Sequence, residues 1–103
     1  MTRDNIYTVL QSTHLPCAYS HFKTEQPPPY LVYIGSGQTI DRADNTHYWS
    51  ENRYQVEYYY KEKDEAAEAA IETALLKGGY QFTKSEDNYL SDEDVFLIYY
   101  FTN

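Results

Sequence analysis

Apolar positions recur at helical spacing in two stretches of the chain and at strand spacing in several others. Ile6, Val9 and Leu10 fall at i, i+3 and i+4, which predicts a helix of about two turns, capped by Thr2 or Asp4 and ended by Pro16. Cys17 to Phe22 alternates small or apolar with polar groups and predicts a short strand before Pro27-Pro28-Pro29. Tyr30-Leu31-Val32-Tyr33-Ile34 is apolar on both faces, so it predicts a strand inside the sheet, stopped by a turn at Gly35-Ser36-Gly37. Gln38 to Thr46 is polar and predicts a long solvent-facing loop. A strand from Tyr48 or Arg53 to Tyr60 follows, with Tyr54, Val56, Tyr58 and Tyr60 on a packed face and Arg53, Gln55, Glu57 and Tyr59 on a wetter one.

The second helix is announced by Ala67, Ala70, Ile71, Ala74 and Leu75 at helical spacing, with Glu65, Glu68 and Glu72 assigned to the far side. Asp64 suits its N-cap, Lys77 its negative end, and Gly78-Gly79 its stop. Tyr80 to Lys84 and Val95 to Phe101 predict two antiparallel strands joined by the polar, acidic stretch Ser85 to Asp94. The expectation is one α+β domain over residues 1–103. In it, two helices pack on one mainly antiparallel sheet of about four to five strands, in the order α(β)ββαββ.

Charge and composition narrow the function classes. Eight Lys and Arg stand against 16 Asp and Glu, a formal net charge of -8, and the cations are scattered from Arg3 to Lys84. A surface tracking nucleic-acid phosphates needs clustered cations, so direct sequence-specific nucleic-acid binding is not expected. No apolar run approaches the length of a membrane span, and the N-terminus lacks the apolar stretch of a secretory signal. A lone Cys17 makes no internal disulfide, which suits a reducing compartment.

The inventory of reactive groups predicts no catalytic, cofactor-binding or metal site. His14, His21, His47 and Cys17 match no zinc spacing. Glu86, Asp87, Asp92, Glu93 and Asp94 lack the order of a calcium loop and read as solvated charge. Cys17 with His14 or His21 has no orienting third group in the pattern, and Gly35-Ser36-Gly37 is too short for a dinucleotide fingerprint. The expectation is a non-enzyme.

What stands in surplus is aromatic area: 13 Tyr, 4 Phe and 1 Trp. A compact domain of this mass exposes about 6,000 Å², and one small core cannot enclose so many rings. Tyrosine favours protein interfaces because a rigid apolar ring ends in a hydrogen-bonding hydroxyl. Surplus rings and exposed polar segments together give a candidate assembly interface of Asp41, Arg42 and Asp44 on the predicted loop, Gln55, Glu57 and Tyr59 on the wetter strand face, and Tyr89 in the acidic loop.

Three stretches, PPPYLVYIGSG, ADNTHYW leading into NRYQVEYYYKEKDEAAEAAIETALL, and GYQFTKSEDNYLSDEDVFLIYYF, resemble the small tail-completion proteins of tailed bacteriophages, also called tail-terminator or head-tail joining proteins. The resemblance spans nearly the whole chain. It implies a homo-oligomeric ring, typically a hexamer, at the head-proximal end of the tail tube. Its partners would be tail-tube and head-connector proteins, and its location the virion, after assembly in the bacterial cytoplasm. No cofactor is implied. From the charge alone, a second reading is a small acidic intracellular protein that inhibits or regulates a host protein by occupying a basic site.

Overall fold

The computed structural model describes residues 3–44 and 47–103, with side chains outside 38–51. Helix α1 spans Ile6–Gln11. Its cap is Asn5, neighbour to the expected Asp4, because the Asn5 side-chain oxygen accepts from the amides of Tyr7 at 2.9 Å and Thr8 at 3.4 Å. Thr2 lies outside the described residues. The helix ends where the Ser12 and Thr13 hydroxyls donate to the Val9 and Leu10 carbonyls and His14 turns left-handed at φ 66°. Strand β1, Cys17–Tyr19, runs parallel to strand β2, Tyr30–Asp44, pairing Cys17 with Leu31 and Tyr19 with Tyr33. It is shorter than Cys17 to Phe22 because Ser20 adopts φ 67°.

Strand β3, His47–Tyr60, is antiparallel to β2 almost along its whole length. This corrects the expected loop over Gln38 to Thr46: β2 continues to Asp44, and Asp41, Arg42 and Asp44 pair with Trp49, Tyr48 and His47. Gln38 to Asp44 carries no apolar alternation, so nothing in its sequence marks it as a strand. Gly35-Ser36-Gly37 is likewise not a stop but a register shift within the strand, with Gly37 at φ 109°.

Helix α2 occupies Glu65–Lys77, the predicted span, and the Asp64 carboxylate accepts from the Ala66 and Ala67 amides at 3.1 and 3.2 Å. Its stripe differs from the expected one: Glu68 is buried at 3% exposure while Ala70 is exposed. Strands β4, Phe82–Lys84, β5, Asn88–Leu90, and β6, Val95–Thr102, complete the sheet. Its order is β1-β2-β3-β6-β4, with β5 also paired to β6. The fold is the expected α+β class, and its sixth strand, β5, lies inside the stretch read as an acidic loop. Asn88 hides there among charges, yet its amide donates to the Leu97 carbonyl at 3.3 Å.

Both helices pack on one face of the sheet, where Ile6, Val9, Leu10, Ile71 and Leu75 meet Leu31, Val56, Tyr58, Ile98 and Tyr100. Gly78 lets the helices approach, since a Cβ there would lie 2.5 Å from Val9 Cγ2. Gly78→Ala should therefore force α1 away from the core and cost about 1–3 kcal/mol, read from urea unfolding; a change below about 0.5 kcal/mol would mean that Val9 yields freely. The opposite face carries no helix among the described residues. Among the described residues no helix is long and apolar enough to cross a membrane.

Candidate assembly surfaces

The alternation that buries Val56 and Tyr58 turns Gln55, Glu57 and Tyr59 to the uncovered face. Register adds Tyr30, Val32 and Ile34 from β2 and Val95, Leu97, Tyr99 and Phe101 from β6. Tyr30 stacks on Tyr59 with centroids 4.8 Å apart, and Tyr99 on Phe101 at 5.6 Å. Phe101 remains 40% exposed, whereas Val32 and Leu97 are buried among the rings. Near the middle, Glu57 accepts from Gln55 Nε2 at 2.8 Å and from the Tyr59 hydroxyl at 2.6 Å. Burial, then the bond to Glu57, pushes the Tyr59 phenol far above its ordinary value. The result is an apolar, ring-bearing face with one carboxylate held by neutral donors.

Gln55, Glu57 and Tyr59 share one face of β3, as period two predicts. The runs 30–34 and 95–101 are apolar on both faces, so which of their rings join Glu57 is set by inter-strand register, which puts Tyr99 there and Tyr100 on the helix side. Tyr89 is separate: it pairs with Phe96, on the helix side, and its exposed ring lies 5.0 Å from Phe96 while its hydroxyl donates to Asp94 at 2.7 Å. Asp41, Arg42 and Asp44 sit on the hairpin, also apart from Glu57; their side chains lie outside the described residues. The β1 ladder ends at Tyr33 and the β6 ladder at Gln55, so beyond Gly37 the two hairpin strands are registered on each other. The exposed area of 6749 Å² and a longest extent of 51 Å accord with a body drawn out in this way.

The second cluster was not expected at all. Lys84 Nζ lies 2.8 Å from both Glu68 Oε1 and Glu72 Oε2, and Lys63 Nζ lies 2.8 Å from Glu68 Oε2 and 3.2 Å from Asp87 Oδ1. The Lys63 contact is an ion pair without well-directed hydrogen-bond geometry at Glu68 Oε2. The Tyr100 hydroxyl donates to Glu72 at 2.9 Å, and that of Tyr60 to Asp87. The Tyr60 bond, with help from Lys63, holds the Asp87 carboxyl below its ordinary value. Desolvation works against the Lys84 ammonium, but bonds to Glu68 and Glu72 outweigh it and raise the group.

Every charge in this cluster has a partner, so it clamps α2 to β4 and to the link before β5. Lys63 and Lys84 are only partly buried, which discounts the loss below that of a sealed pair. Glu68→Ala should cost about 2 kcal/mol, below the about 3–5 kcal/mol of a sealed pair, read from denaturant midpoints. A loss equal to that of an exposed control such as Glu65→Ala would show that the clamp carries no stability.

Cys17 is half-buried and unpaired, with its thiol pushed up by desolvation, unlike an activated nucleophile. Among the described residues no three His, Cys, Asp or Glu side chains are grouped to hold a metal. No protein-family model matches the chain, and no curated protein matches it.

Proposed function

We propose that the chain is a structural protein of a phage or prophage virion, of tail-completion or tail-terminator type. It forms a ring at the head-proximal end of the tail tube and mediates head–tail joining. The observation that carries this reading is the one-sided fold: helices cover one face of the sheet, and Tyr30, Tyr59, Tyr99 and Phe101 lie on the other. A sheet with two apolar faces is stabilised when both are covered, and a neighbouring subunit can supply the second layer.

Beside the helices the sheet edges offer little for strand addition, whereas among the described residues the β2 and β3 arms of the hairpin are long edges. β1 has three residues, and β4 and β5 form an interrupted line along β6. Among the described residues, the helix-free face, which segment 20–29 overlies only in part, and the hairpin are therefore two surfaces open to a neighbour. They differ from one another, which is what a heterologous contact closing into a ring requires. A two-stranded ribbon is marginal by itself and gains from a neighbour. The net charge of -8 suits a ring through which DNA passes, because like charge keeps phosphates from adhering. The tail-completion assignment itself draws on the resemblance of the stretches around PPPYLVYIGSG and NRYQVEYYY.

Electron microscopy of the protein mixed with phage tail tubes tests the proposal. Density capping one end of the tube is expected. Binding along the sides, or none, would contradict it. Recovery of a host enzyme from lysate with salt-sensitive affinity, without tube capping, would favour the inhibitory reading.

A further inference from the structure

The segment linking β1 to β2, residues 20–29, leaves a groove of about 920 Å³ between itself, the uncovered sheet face and the turn before β6. Phe22 meets Tyr30 edge-on at 5.2 Å, and Tyr30 stacks on Tyr59, so two parallel rings form part of the floor together with Val32 and Val95. The rim is acidic: Glu25, Asp92 and Glu93 face one cation, Lys61, which is already 3.9 Å from Asp94 Oδ2. Desolvation, then the charges of Glu93 and Glu57, raise the Tyr30 phenol above its ordinary value, so the negative field reaches the floor.

We infer that this groove binds a short, arginine-bearing segment of a partner protein. The volume lies near the upper end of the about 300–1,000 Å³ typical of ligand clefts, enough for several side chains. A guanidinium stacks on tyrosine faces and forks to carboxylates, and it sheds water more readily than an ammonium. Stacked tyrosines beneath an acidic rim match both properties in one ligand group. A phosphate or an acidic segment would meet the same rim as repulsion. The groove shares Tyr30 and Tyr59 with the face that the virion reading gives to a neighbouring subunit, so the segment would enter at the margin of that contact, while the inference itself stands on the groove's own geometry.

A capped peptide Gly-Arg-Pro-Leu-Arg-Gly, titrated into the isotope-labelled full chain, is the test. Amide shifts are expected at Tyr30, Val32, Tyr59 and Val95, with affinity falling as salt rises. The charge reversal Asp92→Lys/Glu93→Lys, at exposed positions, should weaken binding at least about tenfold with the thermal melt unchanged. Lysine in place of both arginines should also weaken it. The inference is overturned by no binding at about millimolar peptide, by equal affinity for the Glu-substituted peptide, by shifts centred on the first turn of α2, or by indifference to the reversal. Tube capping is a separate readout, so failure here leaves the virion reading to its own test.

Discussion

Raising the pH above 10 should unfold the domain in one cooperative step, with buried phenols ionising only as the structure is lost. Tyr58, Tyr60 and Tyr100 are 1%, 2% and 0% exposed, and the phenol of each is raised above its ordinary 10.0. Desolvation is the first cause for all three, followed by hydrogen bonds to Asp87 for Tyr60 and to Glu72 for Tyr100. A folded-state pKa above the unfolded one favours the protonated form, so this stability is complete below the unfolded value and declines as pH climbs towards the folded one. Over that window each phenol contributes about 1.4 kcal/mol per pH unit, or about 4 kcal/mol per unit for three. A domain stable by about 5–15 kcal/mol cannot absorb that for long. Phenolate absorbance and circular dichroism should change together. Gradual titration of all tyrosines near pH 10 with native dichroism would contradict the burial.

Tyr100→Ala should cost about 3–5 kcal/mol, enough to unfold a large fraction of a marginal domain. The ring is wholly buried, packs edge-on against Phe82 at 5.4 Å, and ends on Glu72. Tyr100→Phe keeps the ring and removes only the hydroxyl, so its cost should be about 1 kcal/mol, and the alkaline slope should fall by one phenol's share. Chemical denaturation of the two variants separates packing from hydrogen bonding. Equal losses would mean that the bond to Glu72, not the ring, anchors β6 to α2.

The parts of the fold that announce themselves in the sequence are those where a local rule and the tertiary environment agree. Asp64, the Ala/Ile/Leu stripe and Gly78-Gly79 specify α2 to the residue because cap, face and stop are all local. Glu68 was misplaced because helical position alone cannot show that Lys63 and Lys84, from outside the helix, converge on it. In the hairpin the β3 arm is legible, since a start at Tyr48 lies one residue from the observed His47, while the β2 arm from Gln38 to Asp44 is not: apolar alternation reports a core, and this polar stretch has none. The uncovered face was half legible. Gln55, Glu57 and Tyr59 follow from period two on β3, but Tyr30, Tyr99 and Phe101 join them only through inter-strand register. Tyr89 shows the limit of reasoning from exposure, since it is as open as expected yet on the other side of the sheet.

The proposed function requires that neighbouring subunits cover the helix-free sheet face in the assembled particle. Light scattering over a concentration series, with and without tail tubes, tests it on the wild type and on Tyr59→Lys/Tyr99→Lys. The wild type should reach a fixed multiple of 12.1 kDa, in solution or on the tube end, while the double variant keeps its fold and remains single. A 12.1 kDa species under every condition, or an oligomer indifferent to both lysines, would contradict the account.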